Sequence, residues 1–214
     1  MKRYVLKISG HLMRYPDILR QLVITLYEIY QSNTALIALV PGGSEFADLV
    51  KDLQARVGFN DDIAHWMAIK AMEVYGSYIS NAFPDIIKEV TNLREVMEKQ
   101  GKIPLIMPYE VIRRFDELPH SWSVTSDSIA LYLTYKLSFD MTILAKVIDG
   151  IALNGKIVRR IRVIELKDMD IVDTYIKALI EMTGKNVAIF NARKPWILNS
   201  IINNIDDEYT LITP

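Results

Sequence analysis

Two short turns, each placed between a strand and a helix, constrain the fold of this chain most. A β-branched or aliphatic run covers residues 4–8 and leads into Lys-Ile-Ser-Gly, and another covers residues 34–40 and leads into Val-Pro-Gly-Gly-Ser. A segment of helical periodicity follows each turn, from Pro16 and over residues 44–57. Strand, helix, strand, helix at this spacing favours right-handed βαβ units and therefore a parallel sheet.

The rest of the chain continues this alternation. Further strands are predicted at residues 103–107, 141–148, 186–190 and 209–212. Further helices are predicted over residues 109–117, 125–137, 169–182 and 195–202, and almost continuously over 60–100 with a break near 81–84. The Asn-Gly pair between residues 151–153 and 157–166 is typical of a hairpin. We therefore expect a mostly parallel sheet between helices, with a hairpin excursion.

The bulk composition is that of one globular unit. The chain has 214 residues, 50% hydrophobic and 24% charged, so it can bury one sizeable core and we predict a single domain over residues 1–214. With a net charge of −1 the chain lacks the strong positive potential that attracts nucleic acid. The absence of cysteine excludes disulfides and thiolate chemistry. The apolar runs are too short for a bilayer, so we expect a cytoplasmic protein with no membrane or nucleic-acid partner.

The two turns have the chemistry of a phosphate site. Each exposes backbone N–H groups at the start of a helix, where anionic oxygen binds, and glycine lets the backbone approach a ligand. Ligands of such sheets bind beyond the carboxyl ends of the strands. The candidates at strand ends are Lys7, Gly10, Gly42, Gly43, Lys146 and Asp149. They point to phosphoryl transfer; the dinucleotide fingerprint G-x-G-x-x-G is absent, which leaves a Rossmann-type dehydrogenase as the weaker alternative.

Polar residues at two further positions each have two interpretations. The helix after Thr125 begins with a capping hydroxyl and with Asp127 in its first turn, which suits the helix dipole. Alternatively, Thr125, Ser126 and Asp127 face the cleft, where Asp127 orients Lys7 or binds a polar group of a substrate. Lys146 lies in an otherwise apolar strand, where an unpaired charge would be costly. In one interpretation it is paired or reaches the cleft; in the other its ammonium simply extends to the strand end.

One acidic and histidine-containing segment resembles a metal site only superficially. Asp61, Asp62 and His65 fall on one helix face, as metal ligands do. An N-cap at Asn60 followed by acids in the first turn accounts for the same pattern, and we predict no metal site. His65 beside Trp66 is more typical of a packed histidine.

Four segments, in the family's order, resemble the amino acid kinase superfamily, which includes aspartate, acetylglutamate, uridylate and isopentenyl phosphate kinases. They are V-L-K-I-S-G at 5–10, V-P-G-G at 40–43, T-S-D-S-I-A at 125–130 and V-I-D-G-I at 147–151. Three more segments are similar to a short archaeal branch, the aminomethylfuran phosphate kinases. They are residues 64–69, 118–128 and 191–195. The likeness spans nearly the whole chain.

The resemblance implies a three-layer α/β/α sandwich and an ATP-dependent kinase. The cofactor is expected to be Mg²⁺, the acceptor a small phosphorylated or carboxylated molecule, and the assembly a homodimer or higher homo-oligomer. Lys7 and Asp127 are expected to be catalytic. Phosphate or nucleotide binding is implied for Ser9, Gly10, Gly42, Gly43, Asp149 and Gly150. Acceptor binding is implied for Ser44, His65, Thr125 and Ser126.

The sequence also departs from the family pattern. Ser9 and His11 stand where a second glycine and a serine are usual. The usual G-G-M-x-x-K segment has no counterpart, since residues 169–175 contain no lysine. We therefore expect Lys146 to supply the missing charge as a third catalytic residue. A uridylate kinase-like enzyme and a nucleotide-binding sensor that has lost transfer remain as alternatives.

Overall fold

One sheet organises the chain. The computed structural model describes residues 1–98, 101–153, 155–166 and 171–214. Its strands are β1 (Lys2–Ile8), β2 (Ala35–Pro41), β3 (Ile87–Val90), β4 (Ile103–Ile106), β5 (Met141–Lys146), β6 (Ala152–Leu153), β7 (Lys156–Ile157), β8 (Arg160–Arg162), β9 (Asn186–Asn191) and β10 (Tyr209–Thr213). Eight of these described strands form a sheet in the order β3-β4-β2-β1-β5-β9-β10-β8, parallel throughout except where β10 runs antiparallel to β9.

Helices connect the strands and cover both faces of the sheet. They are α1 (Pro16–Gln31), α2 (Ser44–Val57), α3 (Asp61–Ala82), α4 (Pro108–Phe115), α5 (Ser126–Lys136), α6 (Ile176–Thr183) and α7 (Ile197–Asn203). Short 3₁₀ turns lie at Gly10–Arg14, Glu95–Met97 and Val163–Glu165. One buried cluster packs α1 and α7 against the sheet, and the other packs α4, α5 and α6 against the opposite face. The expected three-layer α/β/α sandwich is confirmed.

Local chemistry accounts for the helix ends that flank the site. The Asn60 side chain accepts a hydrogen bond from the Ile63 amide at 3.0 Å, which is the predicted cap of α3. Gly58, in the left-handed conformation at φ +82°, ends α2 two residues earlier. α2 and α3 are therefore joined by a tight connection, and residues of both helices line one cavity.

The side-chain alternation of the strands decides which residues reach which layer. Along β1, Tyr4, Leu6 and Ile8 belong to the α1 and α7 side, whereas Val5 belongs to the α5 side. Because successive side chains point to opposite faces, Lys7 shares the side of Val5. In the same way Lys146 shares the side of Leu144, which is the β5 residue paired with Lys7. Two lysines from neighbouring strands thus emerge on one face.

Four sequence predictions need correction. The predicted break near residues 81–84 coincides with the end of α3 at Ala82, but the helix predicted after it is wrong: strand β3 follows and pairs with β4, at the edge of the sheet. Residues 99 and 100 lie outside the described part. β3 is only four residues long, too short for its alternation to stand out from the helical background. The strand predicted to residue 148 ends at Lys146.

The hairpin region also differs in detail. β6 and β7 pair antiparallel around the Asn-Gly turn, as predicted, although Asn154 lies outside the described residues. Residues 157–166 are not one strand, because β8 leaves the hairpin and pairs with β10 of the main sheet. The last helix predicted before β9, over 169–182, begins only at Ile176, and residues 169 and 170 lie outside the described part.

Among the described residues, no helix combines the length and apolar character needed to cross a membrane.

Candidate active site

The two glycine turns touch each other. Residues Ile8 and Pro41 are paired in the parallel β1–β2 ladder, and the Gly42 amide donates to the Ile8 carbonyl oxygen at 2.8 Å. A Cβ on Gly10 would lie 2.1 Å from the backbone nitrogen of Ser44, and a Cβ on Gly42 would lie 2.5 Å from the nitrogen of Gly10. Such distances exclude any side chain, so glycine is required at both positions for the backbones to approach.

The second turn leads directly into α2 and carries backbone strain. Ser44 has φ +51°, in the left-handed region that non-glycine residues rarely adopt. Such strain is typical of functional sites, where the surrounding structure holds the conformation in place. No side chain of the described residues caps α2 at Gly43, and the Phe46 amide donates to Ser44 Oγ at 3.5 Å. The amides of Ser44 and Glu45 are therefore the candidate donors of the first turn.

Lys7, Asp127 and Lys146 form a buried ion cluster, here called the lysine–aspartate cluster. Lys7 Nζ lies 2.6 Å from Asp127 Oδ1, and Lys146 Nζ donates to Asp127 Oδ2 at 2.7 Å. Side-chain exposure is only 5% for Lys7 and Asp127 and 15% for Lys146. One carboxylate therefore holds two ammonium groups side by side, with a net positive charge.

Burial and the paired charges shift the pKa values of this cluster. Burial alone raises the pKa of Asp127, but the two ammonium groups outweigh it and lower that pKa to about 2. Burial lowers the pKa of Lys7, and the neighbouring Lys146 lowers it further, against the opposing effect of Asp127. Asp127 is consequently a carboxylate at any physiological pH, able to position cations but not to donate a proton.

Asp173 fixes the start of α5, which carries Asp127. Its Oδ2 accepts from the amides of Thr125 and Ser128 and from the Thr125 hydroxyl, each at 2.9 Å. Its Oδ1 accepts from the Ser128 hydroxyl and from the Ile176 amide. Burial and the nearby Asp127 charge raise the pKa of Asp173, in opposition to these hydrogen bonds. Asp173 thus joins the N-terminal ends of α5 and α6 into one rigid corner.

A cavity of about 590 Å³ opens over the lysine–aspartate cluster. Most of the site residues that the sequence predicts line it together. They are Lys7, Ser9, Gly10, Gly43, Ser44, His65, Thr125, Ser126, Asp127 and Lys146. Gly42 lies behind Gly10 and outside the lining. A volume of this size is in the usual range for small-molecule sites.

Asp149 and Gly150 are not brought to the cavity lining. Asp149 pairs with Lys194 Nζ at 2.8 Å and accepts from Asn191 Nδ2 at 3.1 Å. Gly150 has φ +142°, and a Cβ there would lie 2.5 Å from the Thr210 hydroxyl. Close packing accounts for this glycine, and nucleotide binding by either residue stays a prediction.

The α3 side of the cavity presents one helical stripe. Its members recur at helical spacing and are Asp61, Ala64, His65, Ala68, Ile69 and Met72. Trp122 also lines the cavity, where its indole N–H donates to Gln54 Oε1 at 2.5 Å. This α3 wall is largely apolar, whereas the lysine–aspartate cluster forms a charged floor of the cavity.

A sequence model of the amino acid kinase family matches residues 2–191. The chain belongs to this family. The chain is 28% identical over 213 residues to the [5-(aminomethyl)furan-3-yl]methyl phosphate kinase of Methanocaldococcus jannaschii, a match that covers 98% of this chain and 97% of that one. Family and branch therefore agree with the resemblance found in the sequence.

Two solved structures of UMP kinases have the same fold as this chain. The UMP kinase of Ureaplasma parvum aligns with a TM-score of 0.71 at 17% identity, with 100% of both chains covered. The uridylate kinase of Archaeoglobus fulgidus aligns with a TM-score of 0.69 at 15% identity, also with 100% of both chains covered. These identities establish the shared fold and nothing about the substrate.

The structure shows what surrounds two of the positions at which the sequence departs from the family pattern. The Ser9 amide donates to the Ala145 carbonyl oxygen at 3.0 Å, so the backbone at that position already bonds β5. Lys146 enters the lysine–aspartate cluster from the end of β5, beside Lys7 on the neighbouring strand. The cavity floor thus contains two lysines, although the usual G-G-M-x-x-K segment is not recognisable.

Several residues that line the cavity carry no signal that the motifs above would reveal. Arg14 and Lys51 add cations to the lining, and Arg14 pairs with Glu45 at 2.5 Å. Lys51 falls seven residues after Ser44, on one face of α2, so helical spacing counted from the glycine turn would have found it. Asp173 has one local partner, the Ile176 amide three residues later, but its bonds to Thr125 and Ser128 reach another helix and leave no signal in the nearby sequence.

Proposed function

We propose that this amino acid kinase transfers the γ-phosphoryl group of ATP to a small phosphorylated or carboxylated acceptor. A compound like aminomethylfuran phosphate is the first candidate. The observation that carries the proposal is the lysine–aspartate cluster on the floor of a cavity whose rim contains Gly10 and Gly43. Phosphoryl transfer needs alignment and cations around the equatorial oxygens more than covalent help from the protein, and this floor offers both.

The residues have distinct roles in this proposal. The β–γ bridging oxygen of ATP leaves with ADP while an acceptor oxygen bonds to the γ-phosphorus. Lys7 lies between donor and acceptor phosphates, and backbone amides at Gly10 and Gly43 hold the transferring group. Lys146 supplies the second cation. Asp127 is a positioning residue, because both of its oxygens hold lysines and its lowered pKa keeps it ionised.

Magnesium enters this proposal with the nucleotide. The described residues contain no group of three or more histidine or acidic side chains arranged to hold a metal ion. We therefore assign Mg²⁺ to the phosphate oxygens of ATP, which it prefers as ligands. The residues named above bind, orient and neutralise charge without requiring a metal site on the protein.

The acceptor class is inferred from the relative. The Methanocaldococcus jannaschii enzyme, named for [5-(aminomethyl)furan-3-yl]methyl phosphate, covers almost the full length of this chain. The UMP kinases share the fold and make UMP the competing acceptor. We further propose that residues 1–214 act as a single domain in a homodimer or higher homo-oligomer, which light scattering after size-exclusion chromatography tests directly.

An ADP-release assay tests the proposal. Wild-type protein with MgATP is given [5-(aminomethyl)furan-3-yl]methyl phosphate, UMP, aspartate or isopentenyl phosphate in turn, while calorimetry measures ATP binding separately. Turnover of the furan compound above the no-acceptor rate supports the proposal. Turnover of UMP alone would make UMP the acceptor in place of the furan compound. ATP binding without turnover on any acceptor would favour the nucleotide-binding sensor and end the kinase proposal. Asp127→Asn serves as the inactive control.

A further inference from the structure

His120 lies between two carboxylates that belong to different helices. Its Nδ1 is 2.8 Å from Asp62 Oδ1, in the first turn of α3, and its Nε2 is 2.8 Å from Asp116 Oδ1, at the end of α4. A neutral imidazole has one N–H and can donate to only one of these oxygens, whereas the imidazolium donates to both. The geometry therefore fits the protonated ring, which joins the start of α3 to the end of α4.

Besides the two carboxylates, His65 and Trp66 of α3 contact the His120 ring. His65 stacks on it with ring centroids 4.4 Å apart, and burial, aided by His120, lowers the pKa of His65 to about 4, so that ring is neutral near pH 7. Trp66 meets the ring edge-on at 5.1 Å, and the cation of Arg113 on α4 lies over Trp66 at 5.5 Å. Burial lowers the pKa of His120, but the hydrogen bonds to the two carboxylates outweigh it and raise that pKa above 6.5.

The residues that follow His120, here called the 121–125 segment, form part of the cavity lining. Its members that line the cavity are Ser121, Trp122, Val124 and Thr125. The Trp122 indole N–H donates to Gln54 Oε1 on α2 at 2.5 Å, and Lys51 Nζ lies 5.9 Å from the centre of a Trp122 ring. The position of this segment therefore sets the shape of one side of the cavity.

Polar side chains attach the 121–125 segment to the rest of the fold at both ends. At its far end, Thr125 donates to Asp173 through its amide and its hydroxyl. In the middle, Trp122 is attached to α2, and at the near end His120 supplies the ionic attachment to α3 and α4. Of these three side chains, indole and hydroxyl do not titrate near neutral pH, whereas imidazole does. Loss of the His120 proton therefore weakens one attachment and leaves the other two.

We propose that the His120 imidazolium is a positioning residue, which holds the 121–125 segment in place against the cavity, and that loss of its proton releases one carboxylate and loosens the segment. The inference rests on the proposed function for its effect on the acceptor, but the position of the segment is a property of the protein alone.

The proton linkage has a definite sign. The attachment is complete below pH 6.5 and is lost as the pH rises through the raised pKa of His120. The effect is modest, because the side chains of Asp62 and Asp116 are 71% and 54% exposed and water screens both pairs. A looser segment leaves the lysine–aspartate cluster in place, so the acceptor KM should respond and kcat should not.

Histidine NMR on the full chain tests the ionic attachment first. Single substitutions to glutamine assign the signals of the three histidines, which are His11, His65 and His120. We expect His120 to titrate above pH 6.5, and Asp62→Asn or Asp116→Asn to lower its pKa. Asp85→Asn is the matched control, since it changes an exposed acid outside the cavity lining, and it should leave the titration unchanged. A His120 pKa at or below 6.5 in wild type would overturn the inference.

Hydrogen exchange measures the 121–125 segment itself, without ligand or turnover. Deuterium uptake is followed by mass spectrometry from about pH 6 to about pH 9 and corrected for the intrinsic exchange rate. We expect protection of these amides in wild type to fall about 3-fold or more as the pH rises, and to be low throughout in His120→Gln. Protection in wild type that does not change with pH would overturn the inference, and this comparison needs no variant.

Acceptor kinetics separate a positioning role from a purely structural one. With an acceptor that wild type turns over, His120→Gln should raise the acceptor KM about 3-fold or more near pH 6, with kcat and the ATP KM within about 2-fold. His120→Arg should have a lower KM than His120→Gln, because a guanidinium can donate to both carboxylates and stays charged. The ratio of the wild-type KM to the His120→Arg KM cancels titration of the acceptor itself and should rise with pH.

The kinetic outcomes that contradict the inference are specific. They are equal acceptor KM values in wild type and His120→Gln, or a ratio of wild-type to His120→Arg KM that does not change with pH. A protein without turnover in which His120 titrates high and the 121–125 segment loses protection with pH would leave the inference intact and end only the kinase proposal. The two failures are therefore distinguishable.

Discussion

The ammonium of Lys7 lies 2.6 Å from Oδ1 of Asp127, and each side chain is only 5% exposed. The second oxygen of Asp127 holds Lys146 at 2.7 Å. Charges buried this deeply are tolerated only when they are paired, and here two cations share one anion. The excess positive charge, next to two glycine turns that meet backbone to backbone, is what a polyphosphate would neutralise.

Replacing Lys7 should impair turnover more than binding. In Lys7→Ala, Asp127 keeps Lys146 as its partner, so the fold survives, but one cation at the transferring group is lost. We expect kcat to fall about 100-fold or more while the calorimetric Kd for ATP changes less than about 3-fold. Lys88→Ala, which removes an exposed lysine on the edge strand β3, is the control and should match wild type. Equal turnover in Lys7→Ala would remove Lys7 from the mechanism.

Replacing Asp127 should affect stability as well. Asp127→Asn leaves two buried ammonium groups without their counterion, and breaking a buried pair in this way costs about 3–5 kcal/mol. We expect urea denaturation to show a loss of that size. Because Lys7 is the closer partner, the double variant Lys7→Met with Asp127→Asn should be less destabilised than the sum of the single variants. Additive losses would show that the two residues are not coupled.

A methyl group at Gly10 should disrupt the contact between the turns. The added Cβ would lie 2.1 Å from the Ser44 backbone nitrogen. A backbone atom cannot change rotamer as a side chain does, so one of the two turns would have to shift. We expect Gly10→Ala to lower the free energy of unfolding by about 1–3 kcal/mol and to abolish measurable ATP binding. Gly58→Ala is the matched control, since Gly58 has open space around its Cβ position and φ +82°. It should lose about 1 kcal/mol through backbone strain alone and keep its ATP affinity.

Asp173 should act through Asp127. Asp173→Asn places an amide against N–H and O–H donors at Thr125 and Ser128, so the start of α5 shifts and Asp127 moves with it. We expect kcat to fall about 10-fold or more, with a loss of about 1–3 kcal/mol in stability. Asp207→Asn is the control, because Asp207 makes comparable bonds to Ser200 and Glu208 outside the cavity lining. A stability loss without a loss of kcat would make Asp173 purely structural.

His65 should make stability depend on acidity. Its pKa is about 4 in the folded chain against 6.5 for the free side chain, so as the pH falls below 6.5 the unfolded chain gains a proton that the folded chain refuses. The stability that neutral His65 contributes is therefore present above pH 6.5 and lost towards pH 4, by up to about 3 kcal/mol.

The comparison with His65→Gln isolates this contribution. His120, whose pKa is raised because Asp62 and Asp116 outweigh its burial, works in the opposite direction and is present in both proteins. Urea denaturation of wild type and variant between pH 7.5 and 4.5 should show the wild type losing more stability on acidification. Parallel curves would contradict a depressed pKa at His65.

The sequence by itself determined the features that depend on near neighbours. The alternation of β1 placed Lys7 opposite Leu6 and Ile8, the glycines marked both turns, and Asn60 capped α3 as its spacing predicted. These features follow from local backbone geometry and from hydrogen bonds within a turn, so a single chain segment contains all the information they need.

Tertiary structure alone decided the features that join distant segments. β3 and β8 are too short to be read locally and exist because β4 and β10 offer them ladder partners. Nothing near Asp127 in the sequence reveals that Asp173 holds its helix, or that His65 stacks on His120, 55 positions away. Burial and long-range pairing set these contacts and the pKa values they cause, because the free energy of a buried charge depends on whichever groups the whole fold brings beside it.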